Sequence, residues 1–268
     1  TVRTYYQKRE FQIPMRDGVR LFTSVYLPRD ASRTWPILMT RTPYSVAPYG
    51  PEAYRAMLAA TRNIQDEGFI FVFQDVRGRY MSEGKWVEVR PHNPSKGPRD
   101  TDESTDTWDT VEWLLKNVAG NNGRVGIRGT SYPGFYSSMG AISGHPAIKA
   151  VSPQAPVTEW MAGDDFYHNG AFRQTMLEWI YEMGSHKSSE YQVPYGYRDL
   201  YEAYLSAGSA EAVALKEIGL ESHRSSAGRA PSAAGATRTS TWCRSATMAA
   251  SRGIPSSSST TRWAGSLP

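Results

Sequence analysis

Residues 124–136 read Arg-Val-Gly-Ile-Arg-Gly-Thr-Ser-Tyr-Pro-Gly-Phe-Tyr. The apolar run Val125 to Ile127 fits a buried strand, and Phe135 to Ile142 fits a helix of small and aromatic residues. Between them stands Ser131, with Gly129 before it and Gly134 after it. A serine framed by glycines, where a strand turns directly into a helix, has the pattern of a nucleophile elbow. The turn is so tight that side chains at 129 and 134 would collide with neighbouring backbone. Ser131 is thereby pushed into a strained conformation with its hydroxyl exposed. The second glycine lies three residues on rather than two, so the spacing is a variant. The competing structural reading is a glycine-rich turn with a solvated serine.

Working outward, the flanking sequence alternates strand and helix. Residues 1–30 read as an antiparallel hairpin, with Phe11, Ile13 and Met15 alternating, Asp17-Gly18 in the turn, and Val19, Leu21, Val25 and Leu27 on the return. Pro36-Ile-Leu-Met-Thr-Arg is a buried-strand run ending in Thr42-Pro43-Tyr44. Residues 51–67 predict a helix, with Pro51 in its first turn, Tyr54, Met57, Leu58 and Ile64 on one side, and Gly68 as its stop. Phe69-Ile-Phe-Val-Phe is a continuous apolar run, as expected of a parallel strand covered on both faces.

Residues 84–107 are polar and predict a surface loop. Asp106 or Thr107 would cap the next helix, whose apolar positions are Trp108, Val111, Leu115 and Val118. Ile148 to Val151 is the sixth strand. This alternation is the signature of an α/β fold, a mostly parallel sheet with helices on both faces.

Three segments follow. Residues 1–155 are the sheet-and-helix core. Residues 156–222 are aromatic-rich, with Trp160, Phe166, Phe172, Met176, Trp179 and Met183, and predict a helical cap arching over the serine with no strand inside it. Residues 223–268 are Ser, Ala, Arg, Gly and Thr with almost no apolar periodicity. A gene read out of frame beyond codon 222, or a disordered tail, would give such a sequence.

The formal charge of +4 misleads, because six of the 30 basic residues lie in that tail, which has no acidic residue. Without them the body carries 24 basic against 26 acidic residues, which gives no footing for a nucleic-acid partner. No run is apolar over the length of a membrane span. The single cysteine, Cys243, allows no internal disulfide. The chain opens at Thr1 without a signal-like segment, so its start reads as missing or processed, and its compartment is unknown.

Four separated motifs occur in order: Thr-Arg-Thr-Pro-Tyr44, Gln-Asp75-Val-Arg77-Gly-Arg-Tyr-Met-Ser-Glu-Gly, Gly-Thr-Ser131-Tyr-Pro-Gly-Phe-Tyr, and Gly163-Asp-Asp165-Phe-Tyr-His-Asn-Gly-Ala-Phe. Together they resemble the cocaine esterase / α-amino-acid ester hydrolase (CocE/NonD) group of α/β-hydrolases, related to X-Pro dipeptidyl peptidases, over roughly residues 5–220. The resemblance implies an α/β-hydrolase core, a helical cap, and a jelly-roll domain beyond this chain. It also implies a serine hydrolase cleaving small acyl or α-amino-acyl esters or amides, β-lactams included, with no metal or organic cofactor. X-Pro dipeptide release is the near alternative.

By the same resemblance Ser131 is the nucleophile, and the Tyr132 amide and the Tyr44 hydroxyl are the oxyanion donors. Asp165 belongs to a carboxylate cluster for the substrate's α-ammonium, although an acid there could equally cap a helix. Asp75 and Arg77 match the pattern too, but a pair ending a buried strand reads as loop-organising. The Asp and His that complete a triad would follow on later strands, which this chain does not show. His168, three residues after Asp165 on a presumed helix, is a poor base because the two would share one face. His145 reads as structural. A non-catalytic, truncated remnant is therefore the reading from another class.

Overall fold

The computed structural model describes residues 1–159, 163, 165–173, 176, 179, 183, 187–188, 200–208 and 212. The chain divides into two units, Thr1–Pro194 and Tyr195–Pro268. Of the second, the described part is a helix, α5 (Leu200–Ala207), with an adjoining glycine and one residue further on. Most of the segment expected as a cap, and all of the tail after residue 222, lie outside the described residues.

The first unit opens on a short helix, α1 (Val2–Tyr5), and is built on a six-stranded sheet of β1 (Tyr6–Pro14), β2 (Arg20–Pro28), β3 (Trp35–Thr42), β4 (Ile70–Asp75), β5 (Asn121–Thr130) and β6 (Ile148–Gln154). Their order is β1-β2-β4-β3-β5-β6. The β1–β2 hairpin joins β4 antiparallel, whereas β3 pairs parallel with β4 and β5, and β5 with β6. The mostly parallel sheet and the terminal hairpin are therefore as read from the sequence.

Every residue of β4 is buried, which explains why its apolar residues run without alternation. Alternate positions feed two cores. Ile37, Met39, Ile70 and Val72 pack with Val111 and Leu114 of α3 (Glu103–Asn117). Tyr26, Phe71 and Phe73 pack with Val46 and Leu58 on the other face. Helix α4 (Tyr132–Ile142), which begins directly after Ser131, lies against β5, β6 and α3.

Three expectations need correction. The helix over 51–67 shrinks to α2, Arg62–Asp66, capped by the Thr61 side chain accepting from the Ile64 amide. What holds the stretch before it is a lysine. Lys8 is buried, and its ammonium donates to the carbonyls of Pro48 (2.6 Å), Gly50 (2.9 Å) and Ala53 (2.8 Å) and pairs with Glu10 at 2.7 Å. Carbonyls turned onto Lys8 are not available to a helix, yet Tyr54 and Leu58 still pack inward.

The second correction concerns α3, which begins four residues earlier than Thr107, behind Asp102. The Asp102 carboxylate accepts from the Ser104 and Thr105 amides, and Thr105 Oγ1 accepts from the Asp102 amide in return, a reciprocal capping box. Apolar periodicity could not find this turn, because Glu103, Ser104, Thr105, Asp106 and Thr107 are polar and yet buried.

Their partners explain that burial. Arg41 of β3, fully enclosed, donates to Gln74 Oε1 (2.8 Å), the Glu103 carbonyl (2.9 Å) and Thr107 Oγ1 (2.9 Å), and its guanidinium pairs with the Glu103 carboxylate at 3.2 Å. Arg77 forms a two-pronged pair with Asp106 (2.6 and 2.9 Å) and a second with Asp17 (2.7 and 3.2 Å). Sheet and helix α3 are thus joined by hydrogen-bonded charge as well as by apolar contact.

A buried pair broken from one side leaves an uncompensated charge, which typically costs about 3–5 kcal/mol. Asp106→Asn is therefore expected to lower the urea midpoint strongly. Glu83→Gln, whose partner Arg20 sits at the surface, is expected to leave it unmoved. Equal midpoint shifts for the two variants would contradict this account of the network.

The third correction concerns residues 84–107, which are no simple surface loop: Glu88 and Val89 are buried as well. Burial pushes the Glu88 carboxyl up to about 8, against the opposing pull of Arg79.

Candidate active site

Strand β5 ends at Thr130 and α4 begins at Tyr132, so Ser131 alone makes the bend. Its backbone sits at φ 61°, ψ −123°, in a region that non-glycine residues occupy only under constraint. The constraint is local. The Ser131 amide donates to the Gln154 carbonyl of β6 at 2.9 Å, and its carbonyl accepts from the Phe135 amide at 3.1 Å. Its side chain makes no capping bond to the helix, and the residue is exposed.

The glycines follow from close approach. A Cβ on Gly129 would come within 2.1 Å of the Pro133 carbonyl oxygen. One on Gly134 would lie 2.9 Å from the Gln154 oxygen and 3.1 Å from Pro156 Cα. The shifted second glycine thus answers to the end of β6, and the variant spacing still builds the elbow.

A cavity of about 90 Å³ opens beside the serine. Ser131, Tyr44, Tyr132 and Asp165 all line it, so the four residues singled out from the sequence come together. Val157, Phe166, Met176 and Trp179 supply the apolar part of the wall, and the Phe166 and Trp179 rings meet edge to face with centroids 5.5 Å apart. Sequence reading had put these aromatics in the cap without assigning them to the site.

Tyr44 follows the last residue pair of β3 and is half-buried, its ring edge-on to that of Tyr132 at 6.1 Å and 87°. Tyr132 is buried beneath the serine and stacks on Tyr136 with centroids 5.2 Å apart. Its phenol accepts from the Val89 amide at 2.6 Å, a contact hidden in sequence by the polar character of residues 84–107. Burial pushes this phenol well above its ordinary value, so it stays neutral and serves as an anchor. As the first residue of α4, Tyr132 has an amide with no carbonyl one turn behind it to bond within the helix.

Asp165 is exposed and lines the cavity. The presumed helix running to His168 is instead a small hairpin, β7 (Tyr167–His168) and β8 (Ala171–Phe172), turning through Asn169 (φ 48°) and Gly170 (φ 82°). The Asn-Gly pair is a hairpin-turn signal that the aromatic pattern had obscured. His168 is exposed on this hairpin and is not among the cavity-lining residues.

His145 is structural, as read. Its Nε2 lies 2.7 Å from Glu112, its Nδ1 accepts from the Ala147 amide, and its ring tilts against Trp108. His186 and His223 lie outside the described residues. Among the described residues, no histidine lines the cavity.

Asp75 and Arg77 organise loops, although not as a pair. Arg77 holds Asp106 and Asp17, while Asp75 accepts from the Val46 amide, the Tyr49 hydroxyl and the Met81 amide. No group of His, Cys, Asp or Glu suited to a metal ion occurs among the described residues.

Comparison with known proteins gives a consistent result. Cocaine esterase from Rhodococcus sp. (strain MB1 Bresler) is 35% identical over 155 residues, 58% of this chain and 23% of that protein. A solved α-amino acid ester hydrolase aligns with a TM-score of 0.73 at 40% identity, over 81% of this chain and 36% of its own. The aminopeptidase of a marine-sediment Thaumarchaeota archaeon aligns at TM-score 0.71 and 37% identity, over 83% of this chain and 38% of its own. The chain thus spans roughly a quarter to two fifths of the length of these relatives. The resemblance read from the four motifs is borne out in fold and relatives. The profile of the X-Pro dipeptidyl-peptidase (S15) family matches residues 17–248, and the chain belongs to that family, with the cocaine esterase and the α-amino acid ester hydrolase among its relatives.

Proposed function

We propose that this chain carries the nucleophile and oxyanion half of a serine hydrolase acting on small carboxylic esters and amides. The observation that carries this reading is the strained, outward Ser131 opening into the same cavity as Tyr44. Ser131 Oγ attacks the acyl carbon and loses its proton to a general base. The carbonyl oxygen, gaining negative charge, takes hydrogen bonds from the Tyr132 amide and the Tyr44 hydroxyl. Collapse expels the alcohol or amine, which takes up that proton, and water then hydrolyses the acyl-enzyme. The described residues lining the cavity hold no histidine, so the base is not among them.

The wall chemistry favours a compact acyl group with an apolar or aromatic side chain against Phe166 and Trp179. Asp165 in the cavity lining suits a free α-ammonium, an arrangement equally compatible with aminoacyl esters and with the N-terminus of a short peptide. An exposed ion pair of this kind favours the free amine by up to about fivefold.

The test pairs phenylglycine methyl ester with its N-acetyl derivative and adds an X-Pro p-nitroanilide, with fluorophosphonate labelling of Ser131 alongside. Faster cleavage of the free-amine ester is expected, and equal rates would remove Asp165 from the site. Cleavage of the anilide alone would favour the dipeptidyl-peptidase reading. A folded protein that neither labels nor turns over would sink the hydrolase reading in favour of a non-catalytic remnant.

A further inference from the structure

The phenol of Tyr44 works as an oxyanion donor only if its loop holds it in place, and that loop has little regular structure of its own. Strand β3 stops at Thr42, and residues 43–49 continue without helix or strand. Ser45, directly after Tyr44, sits at φ 83°, a strained value for a residue with a side chain. Strain of this sort persists only where surrounding bonds over-determine the backbone.

Those bonds come from two directions. Before Tyr44, its own amide donates to Thr42 Oγ1 (3.1 Å), and Arg79 Nε donates to the Pro43 carbonyl (3.0 Å). After Tyr44, Lys8 holds the Pro48 carbonyl (2.6 Å), and the other anchor is a single carboxylate. Asp75 Oδ1 accepts from the Val46 amide (2.9 Å), and Oδ2 accepts from the Tyr49 hydroxyl (2.9 Å) and the Met81 amide (3.3 Å). The Tyr49 oxygen is shared with Ser45 Oγ at 2.9 Å, which ties the strained residue to the same carboxylate.

Asp75 is the last residue of β4, fully buried, and lies in register beside Thr42. It does not line the cavity. Nothing in the acyl-transfer chemistry above uses it, yet a carboxylate is held there against burial, which raises its pKa to about 6. An amide or hydroxyl in its place could not accept from three donors at once.

We propose that Asp75 is a positioning residue for Tyr44: its carboxylate fixes the loop of residues 43–49 so that the phenol faces the oxyanion formed at Ser131. The inference rests on the oxyanion reading of Tyr44 and extends it to a residue that touches no substrate. In Asp75→Asn the Oδ2 position becomes an N–H donor facing the Met81 amide, and the clamp on the far side of Tyr44 loosens. Small misplacements of a catalytic group cost roughly 10- to 100-fold in rate.

The chain is tested with 3-fluorotyrosine at position 44 and 19F NMR, which needs no turnover. A single sharp resonance is expected in the parent, moved or broadened in Asp75→Asn and, to a smaller extent, in Tyr49→Phe. Tyr49→Phe keeps the ring edge-on to Phe22 and carries the test alone where Asp75→Asn does not fold. An unchanged resonance in the folded variants overturns the proposal.

Kinetics then separate the proposal from the reading beneath it. Asp75→Asn is expected to lower kcat roughly 10- to 100-fold with KM held, and to cost nothing further in a Tyr44→Phe background. A loss that persists in full in that background means Asp75 acts through the fold at large, which overturns the proposal and leaves Tyr44 standing. A Tyr44→Phe variant with parental kcat removes the oxyanion role itself, and this proposal with it.

Discussion

Replacing Ser131 with alanine is expected to abolish fluorophosphonate labelling and to remove essentially all ester hydrolysis. In a fully assembled serine hydrolase, loss of the nucleophile costs on the order of 10⁶ in kcat. The folded state should be indifferent to the change, because Ser131 is exposed and its side chain makes no capping bond to α4. Ser131→Gly sharpens the test. Glycine accepts φ 61° without penalty, whereas strained positions of this kind cost of order 1–3 kcal/mol. The glycine variant should therefore be equally dead and measurably more stable in urea than the parent. That opposition is expected where strain is retained for chemistry, and it separates a nucleophile elbow from a solvated turn. Residual labelling in Ser131→Ala would place the reactive hydroxyl elsewhere. A glycine variant no more stable than the parent would show that the turn stores no strain.

How much of this could be read from the sequence depends on what each residue packs against. Strands β3 and β4 were legible because Ile37, Met39, Ile70, Phe71, Val72 and Phe73 fill most of their buried positions, within apolar runs whose length alone marks a covered strand. The tight turn was legible because Ser131 has a glycine on each side between a strand run and a helix run, although only coordinates show Gly134 answering to Gln154 and Pro156. The start of α3 was not legible. Its first turn is buried against Arg41 and Arg77, and polar residues that face polar partners inside a protein look like surface in a hydropathy pattern.

The same cause hid the part played by Val89, whose backbone amide anchors Tyr132. A backbone donor has no sequence signature at all. The segment before α2 failed in the opposite way: Tyr54, Leu58 and Ile64 recur at helical spacing because they cover one core, while Lys8 draws off the carbonyls of Pro48, Gly50 and Ala53 just ahead of them. Periodicity reports which side chains turn inward, and the hydrogen bonds decide whether a helix turns them. For the site, Ser131 and Tyr44 could be named individually, but that they share a cavity depends on β3 and β5 being neighbours in the sheet, which is a matter of topology.

Tyr44→Phe is the second large effect, and it tests that topology directly. The substitution removes one oxygen and keeps the ring that stands edge-on to Tyr132 at 6.1 Å. Packing, cavity shape and ground-state binding of substrate should then be nearly unchanged, so KM should hold. A donor aimed at the oxyanion is different, since its bond strengthens only as charge moves onto the carbonyl oxygen. Loss of one such donor typically lowers kcat by about 10²–10³, or about 2.7–4 kcal/mol of transition-state stabilisation. The Tyr132 amide remains in the variant, which is why the loss should be partial where that of Ser131→Ala is complete. If Tyr44 is only a core tyrosine at the end of β3, the phenylalanine variant should keep parental kcat. A rise in KM with kcat held would assign the hydroxyl to substrate binding and leave the Tyr132 amide as the one oxyanion donor named here.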